Sequence, residues 1–178
     1  NVTVPFKETV ISYLDRLSPE ARTVGAVNTV KKEKNRWIGY NTDVYGFSAG
    51  LKKANFKAKG KSIVILGAGG SARAVLFALG KAGAGQVTVA NRTLSRAGKL
   101  VRRFRKIFPR IKWNAVSLKG SPLKASLREA DLLVNTTKAG LKAQDPLLIP
   151  RSFFPSREIL VYDLIYKPSE TKLMKTTK

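Results

Sequence analysis

The 178-residue sequence contains no cysteine, no histidine and a single methionine. Without cysteine there is neither disulfide nor thiolate chemistry, and without histidine the commonest general base and metal ligand are both missing, so no metal centre is expected. Proton transfer is left to Lys, Asp, Glu or Tyr. Acids are scarce as well: 11 Asp and Glu stand against 34 Lys and Arg, a formal net charge of +23. Apolar runs fall short of the roughly 20 residues that a membrane-spanning helix needs, and the first residues lack the charged start and apolar middle of a secretion signal. These absences point to a soluble, cytoplasmic protein with no membrane partner.

What is present suits one domain, or one domain with part of a second. A hydrophobic content of 43% is enough for a buried core. The charge is uneven, with 11 basic and 5 acidic residues over positions 1–60 and 23 and 6 over 61–178. Such a field concentrates anions, including phosphorylated cofactors and acidic metabolites. The most basic stretch, "KLVRRFRKIFPRIK" at 99–112, interleaves Phe104 and Phe108. Helical spacing puts both rings on an apolar face, so the cations read as a solvated outer face and nucleic acid is disfavoured as a partner.

Along the chain, Val2 to Val4 reads as a strand end, and 5–16 shows Val10, Ile11 and Leu14 at helical spacing after Pro5. "GAVNTVKKEKNRWIGYN" reads as two strands around a polar turn. Positions 43–55 resume a helical period through Val44, Phe47 and Leu51, with Thr42 or Asp43 as N-cap. The polar "KKANFKAKGK" then marks a boundary between domains at 1–56 and 57–178. Beyond it strands and helices alternate: "SIVIL", a small-residue helix, "QVTVAN", a helix over 94–108, a strand near "WNAV", a helix near 124–130, "DLLVNTT" and "ILVYDLIY". That order predicts an α/β fold, a Rossmann-like doubly wound parallel sheet preceded by an incomplete α/β domain.

Two groups of residues carry chemistry. In "ILGAGGSARA", Gly67, Gly69 and Ala72 form GxGxxA between a strand and a helix. The first glycine permits the tight turn, the second admits a pyrophosphate to the backbone, and the small third residue lets helix and strand pack closely. At the end of the next strand, where an NAD site offers a carboxylate to the ribose, stand Asn91, Arg92 and Thr93, with Arg96 one turn on. Guanidinium groups there favour a 2′-phosphate, hence NADP. In the first part of the chain, Lys7 and Asp43 form the candidate acid/base pair: an ammonium can protonate a carbonyl oxygen under reduction, and a carboxylate can orient it. Asn28 and Asn41, polar within apolar strand segments, add to a polar pocket.

The ordered set "NVTVPFK", "GAVNTV", "GYNTDVYGF", "GAGGSARA", "NRTLSRA", "LLVNTT" and "VYDLIYKP" resembles the shikimate dehydrogenases over nearly the whole chain. The resemblance implies two α/β domains with a cleft between them, and NADPH-dependent reduction of 3-dehydroshikimate to shikimate by a monomer or homodimer. It implies catalytic roles for Lys7 and Asp43 and substrate contacts from Thr3, Asn28, Thr42 and Tyr166. It also implies cofactor contacts from Gly67, Ala68, Gly69, Gly70 and Ser71, from Asn91, Arg92, Thr93 and Arg96, and from Thr136, Thr137, Asp163 and Leu164. The family's serine pair before this stretch and its glutamine after it are not in the sequence, so both ends of the substrate domain are expected to lie outside it. Val44, Lys138 and Leu141 depart from the family's usual Gly, Pro and Met. Two other readings are an NAD-using quinate/shikimate dehydrogenase and a noncatalytic homologue that binds NADP or nucleic acid.

Overall fold

The computed structural model describes residues 1–142 and 144–176 and divides the chain into two compact units. The first holds Asn1–Lys57 and Gly69–Ala82; the second holds Ala58–Ala68 and Gly83–Lys178.

In the first unit, β1 (Arg16–Leu17), β2 (Thr29–Glu33) and β3 (Arg36–Tyr40) form a small mixed sheet of order β1-β3-β2. The hairpin turns at Lys34 and Asn35, with Lys34 at positive φ, and its register pairs Glu33 with Arg36 and Thr29 with Tyr40. Helix α1 (Pro19–Val24) starts on a Ser18 cap, whose hydroxyl accepts from the Ala21 amide at 3.1 Å, and stops at the left-handed Gly25. Helix α2 (Asp43–Lys53) buries Val44, Phe47 and Leu51, the apolar period seen in the sequence. Helix α3 (Gly70–Lys81) packs on α2. The opening segment departs from expectation. Val2 to Val4 forms no strand, although the Val2 amide donates to the Asn28 carbonyl at 2.7 Å, and helical structure within 5–16 shrinks to one 3₁₀ segment, Thr9–Tyr13. None of that segment's residues is fully buried, so its apolar spacing lacks the tertiary contact that stabilises a short helix.

The second unit is a five-stranded parallel sheet of β4 (Ser62–Leu66), β5 (Gln86–Asn91), β6 (Lys112–Ser117), β7 (Leu132–Asn135) and β8 (Leu160–Asp163). The spatial order β6-β5-β4-β7-β8 reverses direction at β4, the doubly wound order expected from the alternating elements. Strands buried on both faces read as continuous apolar runs, which is why "SIVIL" and "LLV" do not alternate. Helix α5 (Ser121–Glu129) seats Leu123 and Leu127 in a core with Val64, Leu66, Leu133, Ile149 and Leu173. Helix α4 (Leu94–Ile107) lies on β5 and β6 and buries Ala97, Leu100, Val101 and Phe104. Phe104 is fully buried, 5.9 Å from the Trp113 ring and 6.5 Å from the partly buried Phe108 ring, while Lys99, Arg102, Arg105 and Lys106 remain outside. The aromatic residues of this basic stretch therefore belong to the core. A short helix α6 (Lys172–Thr176), absent from the sequence reading, follows β8. No helix among the described residues is long and apolar enough to cross a membrane.

Candidate functional site

The Lys7 backbone is fixed before its side chain is placed. Its carbonyl accepts from the Val27 amide at 2.7 Å, and the next residue, Glu8, takes Arg73 Nη2 of α3 at 2.6 Å. Gly70 sits against the lysine stem: a Cβ there would fall 2.8 Å from Lys7 Cβ, so glycine at the start of α3 is a packing requirement. The Lys7 Nζ then donates to Asp43 Oδ2 at 2.6 Å and to Ser71 Oγ at 3.3 Å. The ammonium and carboxylate side chains are 12% and 25% exposed, so the pair is sheltered yet reachable. An ammonium carries three hydrogens, and two are committed here.

Asp43 is held from its other oxygen. Asn28 Nδ2 donates to Asp43 Oδ1 and to Thr42 Oγ1, both at 2.8 Å, while Asn28 Oδ1 accepts from the Thr42 amide at 2.9 Å. Helix α2 presents Asp43 in its first turn, where a negative charge meets the positive end of the helix dipole. Thr42 occupies the N-cap position, but its side chain caps nothing. The buried Asn41 does that work: its Oδ1 accepts from the amides of Asp43 and Val44 at 3.1 and 3.4 Å, and its Nδ2 donates to the Ala26 carbonyl at 2.9 Å. Lys7, Asn28, Thr42, Asp43 and Ser71 thus form one hydrogen-bonded cluster within the first unit. Thr3 lies outside it, exposed on a shallow groove of about 420 Å³ shared with Val2, Phe6, Val10 and Tyr13.

In the second unit, the strand β4 runs into a turn at Gly67, whose φ of +108° suits glycine and whose absent Cβ would meet Thr136 Oγ1 at 2.6 Å. Thr136 holds this turn from β7: its amide and hydroxyl both donate to the Leu66 carbonyl, at 2.9 and 2.7 Å. Thr137, Asp163 and Leu164 gather around the buried Asn135 at the ends of β7 and β8. Asn91 closes the β5–α4 turn by donating to the Thr93 carbonyl at 2.9 Å. Arg92 and Arg96 are exposed, and among the described residues neither forms an ion pair. Tyr166 stands beyond β8, 91% exposed.

Each unit has features that suit phosphate groups. A Cβ on Gly69 would meet nothing within 4 Å, so the Gly69 backbone faces open space, and α3 starts without a side-chain cap on its free amides. The two uncommitted guanidinium groups suit a phosphate monoester. Among the described residues no cluster of acidic, His or Cys side chains could hold a metal ion. The sequence reading did not anticipate that Ser71 bonds Lys7, that Asn41 caps α2, or that Arg73 ties down Glu8. Asn41 had a visible signal, a polar residue ending an apolar strand; a pairing across more than sixty positions has none.

Known proteins match this chain over nearly its whole length. Residues 1–30 match the shikimate dehydrogenase substrate binding domain, and residues 50–148 match shikimate / quinate 5-dehydrogenase. Shikimate dehydrogenase (NADP(+)) of Geobacter metallireducens is 42% identical over 98% of this chain and 61% of its own length. Shikimate 5-dehydrogenase from Thermus thermophilus, solved in complex with NADP(H) and shikimate, is 40% identical, with a TM-score of 0.82 over 99% of this chain and 61% of that one. Quinate dehydrogenase from Corynebacterium glutamicum, in complex with NAD, is 34% identical, with a TM-score of 0.85 over 99% of this chain and 62% of that one. The chain therefore spans about three fifths of the length of these relatives. With more than half of its residues matched to that dehydrogenase and the fold shared throughout, the chain belongs to the shikimate/quinate 5-dehydrogenase family.

Proposed function

We propose that this chain is the NADP-binding part and a portion of the substrate-binding part of an enzyme that interconverts 3-dehydroshikimate and shikimate, a step of aromatic amino-acid biosynthesis. The division runs by chain order, with a substrate-binding part at 1–56 and a cofactor-binding part at 57–178. The observation that carries the reading is the Lys7–Asp43 ion pair at 2.6 Å, sheltered and braced by Asn28 and Ser71. The lysine stem seated on Gly70 and the carboxylate held at both oxygens keep the ammonium and carboxylate in one geometry.

NADPH, when bound, supplies the hydride to the carbonyl carbon of the substrate. As the carbonyl π electrons move to oxygen, the third Nζ hydrogen of Lys7 donates to the developing alkoxide and then transfers to it. Lys7 is left as the neutral amine and recovers its proton from solvent; in the oxidative direction it accepts the hydroxyl proton. Asp43 keeps the ammonium oriented and, with Asn28 and Thr42, offers hydrogen bonds to ring hydroxyls. Thr3 and Tyr166 complete the substrate contacts.

For the cofactor, the residues from Gly67 through Ser71 would hold the pyrophosphate, Arg92 and Arg96 with Asn91 and Thr93 would hold the 2′-phosphate, and Thr136, Thr137, Asp163 and Leu164 would line the remainder. A cytoplasmic location and a monomer or homodimer accord with a small anionic substrate and a soluble cofactor.

The test has two arms. Titrating the chain with NADPH and NADH should give much tighter binding of NADPH, with charge-assisted bonds to the 2′-phosphate contributing about 1.5–3 kcal/mol each. Equal affinities would remove Arg92 and Arg96 from phosphate recognition and restore the NAD-using reading. In a protein extended to the full length of the relatives, Lys7→Ala should lower turnover by about 10²–10³-fold, as loss of one donor to a developing oxyanion does. NADPH affinity should be unaltered; unchanged turnover would end the catalytic assignment.

A further inference from the structure

We infer that Asn135 is a positioning residue that locks together two segments assigned above to the cofactor: Thr136 and Thr137 after β7, and the Asp163 and Leu164 end of β8. The inference rests on the NADP reading and adds a residue that touches no ligand. Asn135 is fully buried at the last position of β7, paired in register with Asp163. Its Nδ2 donates to Asp163 Oδ1 at 3.0 Å and to the Ala139 carbonyl at 3.2 Å. Its Oδ1 accepts from the Thr137 amide at 3.0 Å and the Thr137 hydroxyl at 2.8 Å. Its backbone carbonyl accepts from the Leu164 amide at 3.1 Å.

Only a primary amide serves this set. One end of the group faces two acceptors and the other faces two donors, which fixes the amide orientation and excludes both Asp and the isosteric Leu. The clasp extends further on each side. Asp163 Oδ1 also accepts from the Ile165 amide at 3.0 Å and its Oδ2 from Thr171 Oγ1 at 2.8 Å, while Thr137 Oγ1 accepts from the Ala139 amide at 3.1 Å. Thr136, the neighbour of the clasped amide, is the residue that pins the Gly67 turn. A single buried side chain therefore sets the spacing of two loops at the carboxyl ends of adjacent strands, next to the point where strand order reverses; ligands of doubly wound sheets bind there. Fully satisfied buried networks of this kind rigidify what they hold, and a half-satisfied one is costly.

The experiment compares two ligands, NADPH and adenosine 2′,5′-bisphosphate, on the chain and its variants. In Asn135→Asp a carboxylate replaces the donor facing Asp163. NADPH affinity is expected to fall about tenfold or more, since each tenfold is about 1.4 kcal/mol. Affinity for the bisphosphate, held by Arg92 and Arg96, should stay within about twofold. NADPH binding unchanged in Asn135→Asp, or both ligands weakened equally, overturns the inference while leaving the NADP reading intact. A wild-type chain that binds neither ligand overturns both. Should Asn135→Asp fail to fold, Thr171→Val, an isosteric change that frees Asp163 Oδ2, should weaken NADPH about threefold and spare the bisphosphate; no change in NADPH affinity is again the overturning result.

Discussion

The contact between Gly70 and Lys7 shows how one residue is governed by another far along the chain. With a Cβ on Gly70 2.8 Å from Lys7 Cβ, Gly70→Ala forces the lysine stem or the start of α3 to move. The expected cost is about 1–3 kcal/mol, the range for overpacking, read as a lower urea midpoint. The same variant should lose the NMR signature of the Lys7–Asp43 bond; an unperturbed Lys7 ammonium would contradict the packing argument. A second residue-scale effect lies at Asp145. Hydrogen bonds from the backbone amides of Gly140 (2.9 Å) and Lys142 (3.1 Å) hold its carboxyl below the ordinary Asp value. A depressed folded pKa means that the stabilisation is complete above the unfolded value and disappears as pH falls through the folded one. The Gly140 and Lys142 amide resonances should therefore shift together on acidification, at a pH below that of an unstructured aspartate, and Asp145→Asn should abolish the shift.

At the scale of elements, α4 joins a strongly basic outer face to a fully apolar inner one. Phe104 fills the space between the helix and Trp113, and Trp113 Nε1 in turn donates to the Phe108 carbonyl at 3.0 Å. Phe104→Ala should cost about 3–5 kcal/mol. Replacing the outward Arg102 by Ala should stay within about 0.5 kcal/mol. Comparable losses for the two variants would mean that α4 does not present these faces. The opening segment illustrates the converse: Val10, Ile11 and Leu14 have helical spacing, yet none of them is fully buried and only a 3₁₀ segment forms.

For the whole molecule, a net charge of +23 acts through its field. Raising ionic strength from about 0.01 M to about 0.15 M shortens the Debye length from about 30 Å to about 8 Å. The association rate of polyanionic NADPH should fall by about tenfold or more, with its dissociation rate little changed. The thermal midpoint should rise over the same range as self-repulsion is screened. A salt-independent association rate in stopped-flow measurements would show that the field does not reach the binding surface.

The sequence by itself determined the α/β class, the order of strands and helices from Ser62 to Asp163, and the identity of the chemical groups. Buried parallel strands are written as continuous apolar runs, surface helices as a 3.6-residue period, and the tight turn after β4 as glycines at fixed spacing, all of them local patterns. The tertiary structure alone decided which polar groups meet. Lys7 finds Ser71, Arg73 finds Glu8, and Asn135 finds Asp163 across separations that leave no trace in local periodicity. It also decided that Asn41, and not Thr42, caps α2, because the Ala26 carbonyl fixes one end of that amide and leaves the other to face the helix amides. A hydrogen-bond partner is specified by the direction and burial of both groups, and those exist only once the backbone has folded.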